Sequence, residues 1–315
     1  MGPKSTPKRV AVTGGAGFIG THTVARLLEL GIDTMVVDDF RHACGEPVPP
    51  AALLVREDIA SSAARGALLD FGPEAIIHLA AQGGVNRSLR DPAADATVNV
   101  VGTVALLRVA VDASCSRFVF ASSGGAIYGR ARRLPSREGD QPAPLSPYGA
   151  AKLACEGYLG MFWRTFGLHF VALRYGNVYG PFQDGTGEAG VVAITSTRLW
   201  SGRPPQITGD GGQTRDFTFV GDIAAANIES LSTDFRGSLN IGTGRPTSVT
   251  EVANTLAQLA GFGGSAEHLP ARPGEVRSNY LNPDRAARQL SWSAKVSLAD
   301  GLATTYPSFG PSRER

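Results

Sequence analysis

A tyrosine and a lysine in the segment SPYGAAK, Tyr148 and Lys152, carry the first chemical signal in the sequence. They are four residues apart, so on a helix their side chains share one face. A phenol titrates at about pH 10, but a nearby ammonium group favours the phenolate and lowers that pKa. We therefore predict that Tyr148 acts as a general acid/base and that Lys152 tunes it.

Two adjacent serines, Ser122 and Ser123, end the apolar segment FVFASS. A hydroxyl at the end of a strand can hold a substrate oxygen in line with a neighbouring phenol. Two glycines follow, Gly124 and Gly125, where a pair of carboxylates could have stood. We predict Ser123 as the catalytic hydroxyl, with Ser122 as the alternative.

The segment TGGAGFIG places Gly14, Gly17 and Gly20 between an apolar run and the helical pattern THTVARLLELG. Such glycines allow a tight turn and close approach of a pyrophosphate, which the helix N-terminus then binds. Asp38 ends the next apolar run, where its carboxylate would accept from ribose hydroxyls and repel a 2′-phosphate. This pattern favours NAD over NADP.

These residues need a scaffold of alternating strands and helices. Strands are predicted from Arg9 and over 34–39, 53–58, 75–81, 118–123 and 169–177, and helices over 60–70, 93–113 and 147–166. The alternation predicts an α/β fold of Rossmann type, with a doubly wound parallel sheet and a smaller C-terminal substrate-binding lobe. We assign residues 1–177 and about 215–245 to the NAD-binding domain, and 178–214 and 246–315 to the lobe, with a helix near 216–230 and a strand near 238–244 returning to the first domain.

Composition excludes several functional classes. The net charge is +2 and 18% of residues are charged, so the sequence predicts no general affinity for nucleic acid or for a membrane surface. The three cysteines lack CxxC spacing and the five histidines do not cluster, so we predict no disulfide framework and no metal site. Free thiols favour a cytoplasmic location, and no apolar run is expected to reach the ~18 residues of a membrane span. The arginine-rich segment 129–137 is predicted to be a solvated loop or, alternatively, a flap near an anionic ligand.

With these motifs in place, the chain resembles the extended short-chain dehydrogenase/reductases, and among them the UDP-galactose 4-epimerase-like sugar-nucleotide enzymes. The motifs that carry the resemblance span nearly the whole chain: TGGAGFIG, HLAAQ, ASSGGAIYG, SPYGAAK, LRYGNVYGP, GDGGQTRDFTFVGD and RPGE. The resemblance implies an NAD-dependent enzyme that epimerises C4 of a UDP-hexose by transient oxidation to a 4-keto sugar. It also implies a homodimer built on the helices near 93–113 and 147–166, although their apolar faces suit an intramolecular core equally well.

The resemblance also implies roles for individual residues. The residues expected to bind the cofactor are Gly14, Gly17, Phe18, Ile19, Gly20, Asp38, Asp58, Ile59, Leu79, Ala80, Ala81, Asn99, Tyr148, Lys152 and Tyr175. The residues expected to bind the UDP-sugar are Gln82, Arg87, Ser123, Tyr148, Asn177, Ala189, Gly190, Val191, Val192, Gln206, Thr208, Arg215, Arg272 and Glu275. Among these, Arg215 and Arg272 would grip the diphosphate. Glu275 would bind the uridine ribose, and residues 189–192 would line the uracil. Asp58 and Ile59 fit a plain strand end as well as an adenine site.

The sequence departs from the family pattern at two positions. Counted from Tyr128, the catalytic hydroxyl position holds Gly124, whereas counted from Tyr148 it holds Ser123. Gly176 stands where many relatives carry a bulky side chain, which would leave extra room near the sugar. Related dehydratases place an acid after the catalytic Ser or Thr, and the glycines here supply none, so we predict epimerisation rather than dehydration.

Four alternative functions stay open at this point. A UDP-glucuronate 4-epimerase could place the sugar carboxylate near Arg87 or the serines, and a UDP-N-acetylglucosamine 4-epimerase would depend on the side chain of Asn279. A net sugar-nucleotide reductase would hold NAD(P) loosely. A non-catalytic NAD-sensing regulator would keep the fold without turnover.

Overall fold

A computed structural model of the protein describes residues 6–44, 47–185, 190–271 and 275–310. The strands are β1 Arg9–Thr13, β2 Asp33–Val37, β3 Leu53–Val55, β4 Ala75–His78, β5 Arg117–Ser123, β6 His169–Tyr175, β7 Asn177–Tyr179, β8 Gln206–Thr208, β9 Thr214–Arg215, β10 Phe217–Phe219, β11 Gly237–Ile241, β12 Thr247–Ser248, β13 Glu267–Leu269 and β14 Ser278–Asn279. The helices are α1 Phe18–Glu29, α2 Ser62–Phe71, α3 Val85–Arg90, α4 Pro92–Ala96, α5 Gly102–Asp112, α6 Gly124–Ile127, α7 Pro147–Phe166, α8 Val191–Trp200, α9 Val220–Glu229, α10 Val249–Leu259, α11 Asp284–Leu290 and α12 Leu298–Thr305. A π-helical turn, Thr97–Val101, joins α4 to α5, and a 3₁₀ turn, Tyr306–Phe309, follows α12.

Seven strands form one sheet in the order β11-β6-β5-β4-β1-β2-β3. Every neighbouring pair in it is parallel. The order reverses direction between β1 and β4, which is the switch point where ligands bind in doubly wound sheets. The predicted Rossmann-type sheet is therefore confirmed, including the late strand β11 that returns to pair with β6.

Both faces of the sheet are covered by helices. Val24 and Leu27 of α1 share a buried cluster with Ile223 of α9 on one face. On the other face, Leu68 of α2, Leu106 of α5 and Leu159 of α7 pack together. Strands buried on both sides explain why the sequence shows near-continuous apolar runs rather than alternation.

Helix α7 has the bounds predicted from the sequence. The Ser146 hydroxyl accepts a hydrogen bond from the Gly149 amide at 3.2 Å, and Pro147 occupies the first turn. Gly167 ends the helix in the left-handed region with φ 73°. These two ends set the register that brings Tyr148 and Lys152 to the sheet.

One expectation about apolar runs was wrong. The continuous helical run Pro92–Asp112 has the length and, with a mean hydropathy of 1.5, the apolarity of a membrane span. Within it Leu106, Leu107 and Val109 are buried in the core beneath α7. Since 44% of this apolar run is buried, packing onto the sheet accounts for part of its apolarity.

The remaining short strands and helices lie mostly in the C-terminal third. Residues of α8, α10 and α12 share a third buried cluster around Tyr179 and Phe217. The strands β8 and β13 pair in parallel, and β9 lies between β12 and β14. The predicted division of the chain into two domains stays a prediction.

Candidate active site

The glycine turn after β1 forms a close-fitting cradle. Gly14 has φ 71°, and a Cβ there would stand 2.5 Å from the Ala80 amide nitrogen. A Cβ on Gly20 would overlap the Gly14 carbonyl oxygen, so helix α1 packs directly on the turn. Gly17 is the N-cap of α1 and contributes no side-chain cap, which leaves first-turn N–H groups for an anion. The predicted Phe18 and Ile19 begin that helix, and the arrangement fits a dinucleotide pyrophosphate.

The Asp38 carboxylate lies beside this turn and is 8% exposed. Its Oδ2 accepts from the Ala16 amide at 3.0 Å and its Oδ1 from the Phe40 amide at 2.8 Å. Arg41 pairs instead with Asp39 and, at 2.7 Å, with Asp58. Among the residues that the structure describes, no arginine is bonded to the Asp38 carboxylate to accommodate a 2′-phosphate, which fits NAD rather than NADP.

Beyond β4, the chain passes close to the glycine turn. The amides of Leu79 and Ala80 both donate to the Thr13 carbonyl at 3.0 Å. Ala81 follows them, half-buried, at the edge where β4 ends. Ile59 lies against Gly102, where a Cβ would stand 3.1 Å from its Cδ1. These residues line one side of the same edge of the sheet.

Two predicted binding residues, Gln82 and Asn99, bond to each other. The Asn99 Oδ1 accepts from the Gln82 amide at 2.9 Å, and its Nδ2 donates to Asp95 at 3.0 Å. The Gln82 Nε2 donates to the same Asp95 oxygen at 2.7 Å. Both side chains are buried and their polar atoms are engaged, so in this arrangement they shape the loop after β4 instead of facing a ligand.

Ser123, Tyr148 and Lys152 come together where β5 ends against α7. Ser123 and Tyr148 line the same cavity wall, and hydrogen bonding by the Ser123 hydroxyl is among the effects that act on the pKa of the Tyr148 phenol. Burial raises the pKa of the Tyr148 phenol to about 12, and the bond with Ser123 opposes that rise. Burial lowers the pKa of Lys152 to about 8, while the nearby Cys155 and Asp95 oppose that shift. The Lys152 Nζ lies 5.7 Å from the centre of the Tyr148 ring. The expected lowering of the Tyr148 pKa by Lys152 is not seen here, because burial dominates and raises that pKa.

Ser122 has a different partner from its neighbour. Its Oγ donates to Glu156 Oε1 at 2.6 Å, and the side chain is buried. It does not line the cavity that Ser123 and Tyr148 share. Of the two serines, Ser123 has the position predicted for the catalytic hydroxyl.

A cavity of about 580 Å³ opens beside these groups. Its described wall includes most of the predicted sugar-nucleotide residues: Ser123, Tyr148, Asn177, Gly190, Val191, Val192, Gln206, Thr208, Arg215 and Glu275. The wall is thus built by the sheet edge together with α8, β8 and β9. Ala189 and Arg272 lie outside the described residues.

Arg215 and Glu275 form an ion pair on this wall, with Arg215 Nη2 3.0 Å from Glu275 Oε1. Burial lowers the pKa of Arg215, although the carboxylate of Glu275 opposes this. Gly190, the N-cap of α8, adds uncapped helix N–H groups to the same wall. A guanidinium and a helix N-terminus together suit a diphosphate.

Three expectations about the sugar site require correction. Arg87 is not on the described cavity wall, and its Nη1 instead lies 2.8 Å from His42 Nε2. Gly176 does not leave extra room, because a Cβ there would stand 2.7 Å from the Asp216 carbonyl oxygen. Asn279 lies away from the cavity wall, and its Nδ2 donates to the Gly125 carbonyl at 3.0 Å.

Tyr175 and the arginine-rich loop 129–137 both lie away from the place where a ligand would contact them. The Tyr175 hydroxyl donates to Asn227 Oδ1 at 2.6 Å in the core, so it is not available to a ligand in this arrangement. The arginine-rich loop 129–137 is tied down through Ser136, whose amide donates to the Tyr280 carbonyl at 2.9 Å. None of its residues is on the described cavity wall, which leaves the solvated-loop interpretation in place of the flap.

Sequence reasoning missed several residues of the wall. Gln213, Phe217 and Leu269 line it, as do Asn86 and Gly125. Gln213 and Phe217 lie within the quoted segment GDGGQTRDFTFVGD, so that motif held a signal that went unused. Leu269 carries no such signal, because it reaches the cavity only through the pairing of β13 with β8.

Comparison with known proteins identifies the family to which the chain belongs. The model of the NAD dependent epimerase/dehydratase family matches residues 10–242. The chain belongs to that family. It is 42% identical to a UDP-glucose 4-epimerase of Mycolicibacterium smegmatis over 96% of this chain and 98% of the relative.

Solved structures agree with the family assignment. The UDP-glucose 4-epimerase of Thermotoga maritima, solved with UDP-glucose, matches with TM-score 0.93 and 40% identity over 96% of this chain and 98% of that one. The protein MoeE5, in complex with UDP-glucuronic acid and NAD, matches with TM-score 0.84 and 37% identity over 95% and 98%. The family's cofactor is NAD, and the glycine cradle with Asp38 fits it.

Proposed function

We propose that the protein is an NAD-dependent 4-epimerase of a UDP-hexose of the UDP-glucose/UDP-galactose type. The observation that carries this proposal is that Ser123 and Tyr148 line the wall of a cavity that also holds Arg215 and Glu275, with Lys152 next to Tyr148 on α7. The relatives named above are UDP-glucose 4-epimerases, which supports the same activity.

In this mechanism Tyr148 accepts the proton of the sugar 4-hydroxyl and later returns it to the 4-keto intermediate. Bound NAD would supply the hydride acceptor and return the hydride to the opposite face of C4. Ser123 holds the 4-oxygen in line, and Lys152 stabilises the phenolate of Tyr148. Arg215 holds the diphosphate while the sugar ring turns over.

Epimerisation is favoured over dehydration because no free acid stands beside Ser123 on the described part of the cavity wall. Glu275 is the carboxylate on its described part, and it is paired with Arg215. Gly124 has no room for a side chain, because a Cβ would stand 2.6 Å from Leu281. Elimination of water needs an acid/base group beside Ser123, and these positions provide none.

A neutral hexose is favoured over UDP-glucuronate. In the structure Arg87 contacts His42, and a Cβ at Gly176 would meet the Asp216 backbone, so neither position marks a site for a sugar carboxylate. Arg215, which lines the described wall, is assigned to the diphosphate. The similarity to MoeE5 nevertheless makes UDP-glucuronate the first competitor to test.

The experiment is NMR of the purified protein incubated with UDP-galactose, UDP-glucuronate or UDP-N-acetylgalactosamine, without added NAD. We expect the 4-epimer of UDP-galactose to form fastest. No added NAD should be needed, because a cofactor that is re-oxidised in each cycle stays bound. If all three sugars were recovered unchanged even with NAD added, the epimerase assignment would fail and the regulator would take its place. A product lacking one water would instead assign a dehydratase.

We also infer a homodimer formed through the outer faces of α5 and α7. Leu89, Val101, Tyr158 and Phe166 are large apolar side chains on or near these helices, and each is at least 40% exposed. Light scattering of the wild type and of Val101→Glu tests this inference, with a shift from dimer to monomer expected. A wild-type monomer would refute it.

A cytoplasmic location is the compartment that best suits the chain. Cys44, Cys115 and Cys155 are free thiols, and the last two are buried. Burial raises the pKa of the Cys115 thiol to about 12, which keeps it unreactive. Cell fractionation followed by immunodetection tests the location.

A further inference from the structure

The Glu156 carboxylate is a buried charge one helical turn beyond Lys152 on α7. Its Oε1 accepts from Ser122 Oγ at 2.6 Å and from Arg174 Nε at 2.9 Å. Its Oε2 accepts from Arg174 Nη2 at 2.6 Å and from Ser238 Oγ at 2.7 Å. The side chains of Glu156 and Arg174 are 8% and 6% exposed.

This one carboxylate ties α7 to three strands at once. Ser122 belongs to β5, Arg174 to β6 and Ser238 to β11. Burying an ion pair carries a large desolvation cost, so the pair is weak evidence of stabilisation. Its hydrogen bonds to the three strands are what restrain the position of α7. Tyr148, Lys152 and Glu156 are spaced four residues apart, so the anchored face of α7 is also the face that carries the acid/base group.

The two adjacent serines join this anchor to the reacting end of the helix. Ser122 bonds to Glu156, while Ser123 shares the cavity wall with Tyr148, which lies two turns earlier on the same helix. Ser123 is the last residue of β5, where the strand gives way to α6. Its neighbour's bond to Glu156 is therefore the last side-chain contact that fixes the strand end before the catalytic hydroxyl.

We propose that Ser122 is a positioning residue, which holds the end of β5 on α7 through Glu156 so that Ser123 stays in line with the Tyr148 phenol. The inference rests on the proposed function, since it assigns how the catalytic hydroxyl of that reaction is held. It also gives separate tasks to the two serines of ASSGG, of which one touches the substrate and the other does not.

Loss of the contact between Ser122 and Glu156 should change the pKa of Tyr148. The groups around the phenol are Ser123 at the end of β5, Lys152 on its own helix, Asp95 of α4 and Tyr175 of β6. Among these, Ser123 lowers the pKa of Tyr148 through its hydrogen bond, while Asp95 raises it. A weaker bond with Ser123 would move the low-pH limb of the activity profile to higher pH.

The test compares Ser122→Ala with Ser238→Ala. Each variant removes one hydroxyl donor from the same Glu156 carboxylate, and each leaves Arg174 in place, so both should fold with similar stability. We expect kcat to fall about tenfold in Ser122→Ala with KM nearly unchanged, since small misplacements of a reacting group are costly. Ser238→Ala should stay within about twofold of the wild type, and Ser122→Thr, which keeps the hydroxyl, should recover most of kcat.

A second measurement needs no turnover. The ultraviolet difference titration of each protein against its own Tyr148→Phe derivative reads the phenol directly, and we expect a higher pKa of Tyr148 only in Ser122→Ala. Equal kcat and equal titration in Ser122→Ala and Ser238→Ala would overturn the positioning role. A wild type that turns over no UDP-sugar would instead refute the proposed function, and the titration would still decide the role of Ser122.

Discussion

Two sets of residues face the same cavity under different constraint. On the sheet side, Ser123 and Tyr148 line the wall, and behind them Lys152 is 3% exposed and Glu156 anchors the helix with four hydrogen bonds. On the side formed by the later part of the chain, Arg215 and Glu275 share one ion pair and are 18% and 28% exposed.

The difference indicates a division of labour. The reacting groups are fixed before any substrate arrives, which lowers the reorganisation needed during the chemical step. If Arg215 holds a diphosphate as proposed, its ion pair with Glu275 must open, because the diphosphate would compete with the carboxylate for the guanidinium. Changes on the first side should therefore alter rate, and changes on the second should alter affinity.

Replacement of the acid/base group should give the largest effect. Tyr148→Phe removes the phenol while keeping the ring, so we expect turnover to fall by at least about 10³-fold. Binding of NAD and the melting temperature should stay close to wild type. Epimer formation by NMR and the NAD content of the purified protein measure the two, and Tyr306→Phe, at a tyrosine outside the described cavity wall, is the control. Retained activity in Tyr148→Phe would break the comparison at its first side.

On the other side, Arg215→Met should weaken substrate binding. Charge-assisted hydrogen bonds contribute about 1.5–3 kcal/mol, which corresponds to a rise in KM of roughly tenfold to a hundredfold. We expect kcat to change much less than KM. Arg277→Met is the control, because Arg277 forms an exposed pair with Asp210 and lies outside the described wall. A fall in kcat at constant KM would show that Arg215 belongs with the reacting groups.

A buried histidine on the sheet side should make the stability of the protein depend on pH. His78 is buried between Thr13 and Thr103, and burial lowers its pKa from 6.5 to about 3. The pKa of His78 is lower in the folded than in the unfolded protein. The stability that depends on a neutral His78 is therefore complete above pH 6.5 and is lost as the pH falls toward 3. We expect the free energy of unfolding to decrease by about 1.4 kcal/mol per pH unit in that window.

Urea unfolding at pH 7, 6 and 5 measures this slope. His78→Gln should flatten it, whereas His268→Gln, at an exposed position, should leave it unchanged. An equal slope in all three proteins would assign the acid sensitivity to other groups.

The smallest effect concerns the two glycines after Ser123. A Cβ on Gly124 would stand 2.6 Å from Leu281, so Gly124→Ala should cost about 1–2 kcal/mol of stability. A Cβ on Gly125 would stand 3.7 Å from Ser123 Oγ, an ordinary contact, so Gly125→Ala should stay within about 0.5 kcal/mol. Thermal denaturation compares them, and the reverse order would mean that Gly125, not Gly124, is the position under steric constraint.

Local signals in the sequence were sufficient for much of the fold. Ser146, Pro147 and Gly167 fix both ends of α7, and the glycine turn with Asp38 gives the first strand, helix and strand. These features depend on neighbours along the chain, which is why pattern reasoning recovered them.

Features that depend on distant contacts were missed or misread. The role of Gly176 follows from the close approach of Asp216, forty residues later, and sequence spacing gave the opposite expectation of free space. The bond of Ser122 to Glu156 joins residues 34 apart, so the serine pair could be recognised but its members could not be told apart. The π-helical turn Thr97–Val101 likewise lay hidden within a single predicted helix.

The pairing of β6 with β11 has a consequence for synthesis of the chain. Strand β6 ends at Tyr175, but its outer partner begins only at Gly237. Until those later residues leave the ribosome, a nascent chain presents β6 as an exposed edge, with unpaired N–H and C=O groups that can template aggregation. The seven-stranded sheet therefore cannot be completed until Gly237–Ile241 has been synthesised, and we expect β6 to be most prone to aggregation in the interval between the two strands.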